Sequence, residues 1–161
     1  FSLYAEGAGK NEVTILWGSM YGMTKKAVDY VEGVLQKEGI KYSKLRMPLD
    51  SHSSMVAAVF KSAGIIIAAP TYEYKLFPPV AEALNELGRK KIAGKTAFRF
   101  GSYGWSGGAE KELSEIMERN RMNWDFIESV EFEGAPTEKD MEKVKAGVLE
   151  LIEKMKKKMV E

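Results

Sequence analysis

Short apolar runs along the chain alternate with longer segments in which apolar residues recur every three or four positions. The first apolar run covers residues 13–17, and a polar loop follows it. Apolar side chains then recur at helical spacing until Gly39 offers a stop; they are Ala27, Val28, Val31, Val34 and Leu35. The first 40 residues therefore predict a strand, a loop and a helix.

Four further segments read as strands, at residues 42–47, 64–70, 95–102 and 124–132. In residues 64–70, three isoleucines in succession leave no polar side, so this strand should be buried on both faces. The alternation of side chains in residues 124–132 is typical of a strand at the edge of a sheet.

Helical spacing fills the segments between these strands. Pro78 or Pro79 opens one helix and Gly88 ends it, while Thr137 caps the last helix. The apolar stripe of that last helix comprises Met141, Val144, Val148, Leu151, Ile152 and Met155. Five strands that alternate with five helices predict an α/β domain, a parallel sheet with helices on both faces. In such sheets, ligands bind beyond the carboxyl ends of the strands.

The first loop, residues 18–24, combines two glycines with three hydroxyl groups just before a helix. Gly18 and Gly22 allow close backbone approach, and the hydroxyls belong to Ser19, Tyr21 and Thr24. Because free N–H groups at a helix N-terminus attract anions, this loop predicts a phosphate site. It has neither the Gly-Lys-Ser/Thr ending of a nucleotide-binding P-loop nor the three glycines of a dinucleotide fingerprint. The alternative is a plain glycine turn in which Thr24 only caps the helix.

The second loop, residues 70–79, follows the buried strand and carries two tyrosines, Tyr72 and Tyr74. Their rings could stack on a flat ligand whose edge contacts the backbone amides of residues 71–74. The alternative is that these tyrosines and Phe77 simply cover the end of the sheet.

The third loop, residues 100–110, reads FGSYGWSGGAE and follows the fourth strand. Its glycines, Gly101, Gly104, Gly107 and Gly108, let the backbone pass close beneath a ligand, and Tyr103 and Trp105 offer flat aromatic faces. A phosphate site after strand one and aromatic loops after strands three and four together predict flavin mononucleotide (FMN) as the ligand.

Composition narrows the range of functions. The chain has 161 residues, is 45% hydrophobic and 29% charged, and has a formal charge of +1, so charge gives no sign of a nucleic-acid or membrane partner. With no cysteine it has neither disulfides nor thiol chemistry, which fits a cytoplasmic location. The chain starts FSLYAEGAGK, which reads as an excised or processed part of a longer protein. We expect residues 1–11 to be linker-like and residues 12–161 to form the domain.

Three motifs carry a family resemblance, which covers nearly the whole chain from Glu12 on. The sequences SMYGMT, PTYEYKLFPP and FGSYGWSGGAE resemble the flavodoxin-like domain of flavodiiron proteins, also called A-type flavoproteins. The resemblance implies a flavodoxin-like three-layer sandwich, with a five-stranded parallel sheet in the order 2-1-3-4-5, and FMN as cofactor. The family often has Asn where this chain has Glu73. If Glu73 lies near the flavin, its charge should disfavour the reduced cofactor, and Lys75 could offset it.

The resemblance also implies an oxidoreductase of two parts. In flavodiiron proteins a metallo-β-lactamase-like domain holds two irons, and a head-to-tail homodimer brings the flavin of one subunit near the irons of the other. The electron donor is expected to be rubredoxin-like or a flavin reductase. This chain has a single histidine, His52, so it cannot build a diiron site by itself. We therefore expect an electron-transfer domain that is not a complete oxygen or nitric oxide reductase.

No catalytic or metal-binding residue is predicted, and the predicted cofactor residues fall in the three loops. The phosphate end comprises Ser19, Met20, Tyr21, Gly22, Met23 and Thr24. The ring and ribityl end comprises Pro70, Thr71, Tyr72, Glu73, Tyr74, Ser102, Tyr103, Gly104, Trp105 and Gly107.

Two alternatives stay open and a third does not. A stand-alone flavodoxin or FMN-dependent reductase would keep the cofactor and change only the partner. An interaction module would keep the fold and lack the cofactor. A phosphorelay receiver domain needs an acidic pair after strand one and an Asp ending strand three; those places hold Trp17-Gly18 and Ala68-Ala69-Pro70.

Overall fold

A six-stranded parallel sheet forms the centre of the fold in the computed structural model, which describes residues 10–18, 23–47, 50–72, 75–103, 109–134 and 136–160. The sheet strands are β1 (Lys10–Trp17), β2 (Lys41–Arg46), β3 (Ser62–Ala68), β6 (Thr96–Tyr103), β7 (Asp125–Phe126) and β8 (Val130–Glu133). A separate antiparallel pair is formed by β4 (Thr71–Tyr72) and β5 (Lys75–Leu76). The helices are α1 (Met23–Lys37), α2 (His52–Lys61), α3 (Pro78–Arg89), α4 (Ala109–Arg119) and α5 (Glu138–Val160).

The strand order of the sheet is β2-β1-β3-β6-β7, and β8 also pairs with β6. All pairings in this sheet are parallel. With the last two strands counted as one, this is the predicted order 2-1-3-4-5, so the flavodoxin-like fold is confirmed. Each crossover passes through a helix, because parallel neighbours need a long connection.

Two hydrophobic clusters pack against the opposite faces of the sheet. On one face, β-strand side chains meet the apolar stripes of α1 and α5; on the other they meet α2, α3 and α4. Every residue of β3 is buried, and its isoleucines alternate between the clusters, with Ile66 in the first and Ile65 and Ile67 in the second. The prediction of a central strand without a polar side is confirmed.

The segment predicted as one strand over residues 124–132 is interrupted. Thr96 pairs with Asp125 and Phe100 with Val130, so four steps along β6 correspond to five along the partner segment. One additional residue reverses which face the following side chains occupy. Accordingly Phe126 packs against the second cluster, whereas Phe132 lies in the first.

The helix ends follow the sequence signals except at Gly88, which lies inside α3 and does not end it, since that helix continues to Arg89. The Thr137 N–H donates to Asp140 Oδ2 at 2.9 Å, and the Asp140 N–H donates to Thr137 Oγ1 at 3.2 Å, a reciprocal cap for α5. Ser51 caps α2 by accepting from the Ser54 N–H at 3.1 Å, and His52 is the first residue of that helix. Gly39 follows α1 with φ of +70°, a left-handed conformation that favours glycine. Among the described helices, none is long and apolar enough to cross a membrane.

Candidate cofactor site

The three predicted ligand loops leave the sheet from three adjacent strands, β1, β3 and β6. β1 and β3 end level, since Trp17 pairs with Ala68; Ala68 pairs with Phe100, and β6 continues beyond that pair to Tyr103. Beyond these pairs the backbones stay joined: the Gly18 N–H donates to the Ala68 carbonyl at 3.0 Å, and the Ala69 N–H donates to the Phe100 carbonyl at 3.1 Å. With strands about 4.8 Å apart, the loop bases lie within about 10 Å of one another.

The first loop leads directly into α1. Predicted residues Ser19, Met20, Tyr21 and Gly22 lie outside the described residues; Met23 and Thr24 are the first two residues of α1. The first turn of α1 has no acidic side chain, which it shares with α2 and α3, whereas the first turns of α4 and α5 have two each. The positive end of the α1 dipole is therefore not neutralised by the helix's own carboxylates, as an anion site requires.

Trp17, the last residue of β1, contributes an unpaired donor at the base of this loop. Its side chain is buried, and its Nε1–H has no hydrogen-bond partner among the described residues. The Arg46 guanidinium carbon lies 4.9 Å from the Trp17 ring centroid and Lys44 Nζ lies 5.9 Å from it. Because an unpaired buried donor costs about 1–3 kcal/mol, its acceptor has to come from outside the described residues or from a bound group. Lys44 is ion-paired, with its Nζ 2.7 Å from Glu32 Oε1, so the Trp17 donor and Arg46 are the groups here that fit an anionic ligand.

The second loop is fastened at its base. Pro70 is buried, Thr71 and Tyr72 form β4, and Glu73 and Tyr74 lie outside the described residues. The hairpin of β4 and β5 pairs Thr71 with Leu76, and the Phe77 N–H donates to the Pro70 carbonyl at 3.0 Å. The sequence reasoning treated this hairpin as plain loop.

Phe77 joins the bases of the second and first loops. A Cβ atom at Gly18 would lie 2.5 Å from Phe77 Cδ2, so only glycine lets β1 and Phe77 approach this closely. For Phe77, the alternative interpretation holds: its ring covers the end of the sheet. The close packing also fixes where the first loop begins.

The third loop starts inside β6. Ser102 is buried and Tyr103 is the last residue of the strand, whereas Gly104, Trp105 and Gly107 lie outside the described residues. Gly101 lies within β6, and a methyl group there would overlap the carbonyl oxygen of Ala69. Gly101 thus lets the ends of β3 and β6 approach each other, a role that the loop composition did not indicate.

Arg99 is a residue near the site that sequence reasoning missed. It is fully buried, and its Nη2 donates to the Ala69 carbonyl at 3.1 Å. Its Nη1 donates to Glu110 Oε1 at 3.0 Å and lies 3.4 Å from Glu131 Oε2. The only available signal was an arginine within the otherwise apolar strand AFRF.

No metal site is found in the described part of the chain, where no group of three or more His, Cys, Asp or Glu residues could hold an ion.

A second buried cation, Lys95, precedes β6 and donates to the Phe60 carbonyl at 3.1 Å. Burial lowers the pKa of Lys95 to about 8.

Comparison with known proteins gives relatives over most of the chain, although no protein-family model matches it. The chain is 27% identical over 157 residues to the rubredoxin-oxygen oxidoreductase of Megalodesulfovibrio gigas, which covers 97% of this chain and 39% of that protein. It is 25% identical over 115 residues to the nitric oxide reductase of Moorella thermoacetica, covering 71% of this chain and 29% of that one. The chain therefore spans well under half the length of these curated relatives.

Solved structures agree with the fold. The rubredoxin:oxygen oxidoreductase from the anaerobe Desulfovibrio gigas superposes with a TM-score of 0.89 at 26% identity, over 98% of this chain and 39% of that chain. A flavodoxin from the domain Archaea superposes with a TM-score of 0.75 at 23% identity, over 90% of this chain and 99% of that one. The second match, at its lower identity, supports the fold alone.

Proposed function

We propose that this chain, which is homologous over nearly its whole length to the flavodoxin-like region of flavodiiron proteins, binds FMN and transfers electrons through it. The observation that carries the proposal is that the adjacent strands β1, β3 and β6 have their carboxyl ends on the same side of the sheet, where the three ligand-type loops begin. In open parallel sheets this edge is where ligands bind. Bound FMN supplies one- and two-electron transfer, and the protein supplies binding and orientation.

The phosphate of FMN would bind at the N-terminus of α1. Its un-neutralised first turn favours an anion, and the hydroxyls of Ser19, Tyr21 and Thr24 would donate to phosphate oxygens. Met20, Gly22 and Met23 would contribute backbone N–H groups. This arrangement holds a terminal phosphate without the lysine of a P-loop, so a nucleoside triphosphate is disfavoured.

The ring and ribityl chain would lie between the second and third loops. Pro70, Thr71, Tyr72, Glu73 and Tyr74 would contact them from one side. The third loop would contribute Ser102, Tyr103, Gly104, Trp105 and Gly107. Aromatic faces from both loops would exclude water from the ring, while backbone amides would orient its edge. We expect Glu73→Gln to raise the midpoint potential, because removing a negative charge favours the reduced cofactor.

The names of the relatives support a proposal for the electron-transfer partners. One relative is named for electron transfer between rubredoxin and oxygen, and the chain spans 39% of it. We propose that electrons pass from a rubredoxin-like donor or a flavin reductase, through FMN in this domain, to a diiron centre in a metallo-β-lactamase-like domain. The donor, a head-to-tail homodimer and a cytoplasmic location are parts of this proposal.

The test is a visible spectrum of the purified chain with excess FMN, after desalting and again after dithionite. The proposal expects flavin absorption that survives desalting and is bleached on reduction. A chain that lets added FMN pass through unbound would contradict the proposal and favour the interaction module.

The second candidate is a stand-alone flavodoxin, because the same three loops on the same sheet order would serve an electron carrier whose acceptor is a separate protein. This candidate keeps the FMN site and changes the electron acceptor. Flavin-loaded chain mixed with a separately prepared diiron domain distinguishes the two. Fast electron transfer to the irons supports the flavodiiron assignment, and transfer no faster than with free FMN supports the flavodoxin.

A further inference from the structure

Arg99 connects the bases of the second and third loops. Its Nη2 donates to the carbonyl of Ala69, the residue before Pro70, at 3.1 Å. Its Nη1 donates at 3.0 Å to Glu110 in the first turn of α4, the helix that follows the third loop. One buried guanidinium therefore contacts the start of one loop and the end of the other.

A second hydrogen bond also joins the second loop to the first turn of α4. The Leu76 N–H donates to Glu112 Oε1 at 2.8 Å, which links the closing strand of the second loop to the first turn of α4. Gly101 brings the Ala69 carbonyl close enough for the Arg99 contact, because any side chain there would overlap that oxygen. Five groups thus form one frame at the base of both loops: the Arg99 guanidinium, the Ala69 carbonyl, the Leu76 N–H and the carboxylates of Glu110 and Glu112.

We infer that Arg99 is a positioning residue that couples the second and third loops, so that both hold the ring half of the cofactor in one geometry. The effect of Arg99 on cofactor binding rests on the proposed FMN function. The coupling of the two loops through Arg99 does not depend on that function. Arginine suits the role, since its rigid planar fork stays charged when buried and contacts several acceptors at once. Small losses of positioning weaken ligand binding even when the residue never touches the ligand.

The two acidic partners of Arg99 offer a matched pair of variants. Glu110 and Glu131 both contact Nη1 and both keep part of their side chain exposed, 44% and 24% respectively. Glu110 lies at the end of the third loop, whereas Glu131 lies in β8. Glu110→Gln and Glu131→Gln make the same chemical change around the same guanidinium, and partial exposure favours correct folding of both.

The experiment measures the dissociation constants of FMN and riboflavin by flavin fluorescence for the wild type and both variants. Glu110→Gln should weaken FMN and riboflavin binding by the same factor, about fivefold, the loss expected when a charge-assisted hydrogen bond becomes a neutral one. If FMN and riboflavin lose affinity by the same factor, the lost contacts are to the ring half of the cofactor, because riboflavin lacks the phosphate. Glu131→Gln should leave both constants within about twofold. The inference is overturned if the two variants weaken binding equally, or if neither does.

Hydrogen exchange of the cofactor-free chain separates this inference from the proposed function. Glu110→Gln should speed amide exchange in residues 69–77, a segment on the far side of Arg99, and Glu131→Gln should not. If the wild type binds no flavin, the proposed function fails, and exchange alone decides the inference. Unchanged exchange in residues 69–77 would then overturn it.

Discussion

Two buried cations four residues apart, Arg99 and Lys95, differ in what surrounds them. Arg99, near the carboxyl end of β6, contacts a carbonyl and two carboxylates. Lys95, just before the amino end of β6, donates to the Phe60 carbonyl at the end of α2, and burial lowers its pKa to about 8. The guanidinium cannot lose its proton and so needs several partners, whereas an ammonium can respond to burial by neutralising. The comparison teaches that the buried cation toward the carboxyl ends of the strands is held by two carboxylates and a carbonyl, whereas Lys95, toward the amino ends, donates to one carbonyl among the described residues.

Replacing Arg99 is the strongest way to break this comparison. Arg99→Met leaves two carboxylates and the Ala69 carbonyl without their donor, so we expect about 3 kcal/mol of lost stability. Urea unfolding at pH 7 measures this. A loss below about 1 kcal/mol would mean that the frame contributes little.

A pair of glycine substitutions sharpens the comparison between the two edges. Gly101→Ala, near the ligand edge, places a methyl group against the Ala69 backbone and should cost about 2 kcal/mol or more. Gly64→Ala, near the amino end of β3, has atoms of the flexible Met155 side chain as its nearest neighbours and should cost less than about 1 kcal/mol. Thermal unfolding of both variants tests this prediction. Equal losses of stability would contradict it, because they would show that the Ala69 backbone and the Met155 side chain move aside equally easily.

Lys95→Met should have the opposite effect on stability to Arg99→Met, because it should stabilise the fold by about 2 kcal/mol at pH 7. The folded pKa of about 8 lies below the unfolded value, 10.5, so the ammonium destabilises the fold fully below pH 8. This penalty disappears as the pH rises through 10.5, and wild-type stability should therefore rise between those values. Urea unfolding at pH 7 and pH 10 of both proteins measures it. A flat wild-type profile would contradict the lowered pKa.

Much of the fold could be predicted because local patterns determine it. The strand and helix pattern, the fully buried β3 and the Thr137 cap depend on nearby residues, and the structure has them. The interruption between β7 and β8 could not be predicted from the sequence. One additional residue reverses the face of the sheet that the later side chains occupy, and nine residues are too few to show this in the apolar pattern.

The site could be predicted only in part. The alternation of strands and helices allowed the adjacency of the three loop bases at the ends of β1, β3 and β6 to be predicted, whereas the cofactor site there and its individual contacts stay predictions. The burial of Arg99 and Lys95 could not be foreseen, because the carbonyl acceptors, Ala69 and Phe60, lie 30 and 35 residues away in the sequence. A cation in a strand ordinarily reads as an exposed position.

Hydrogen exchange of the chain with and without FMN tests the central claim most directly. The account predicts that FMN protects amides in all three loops, residues 18–24, 70–79 and 100–110, and leaves the segment around Lys95 unchanged. Protection confined to one loop, or found at the amino edge of the sheet, would contradict a single FMN site at the ends of β1, β3 and β6.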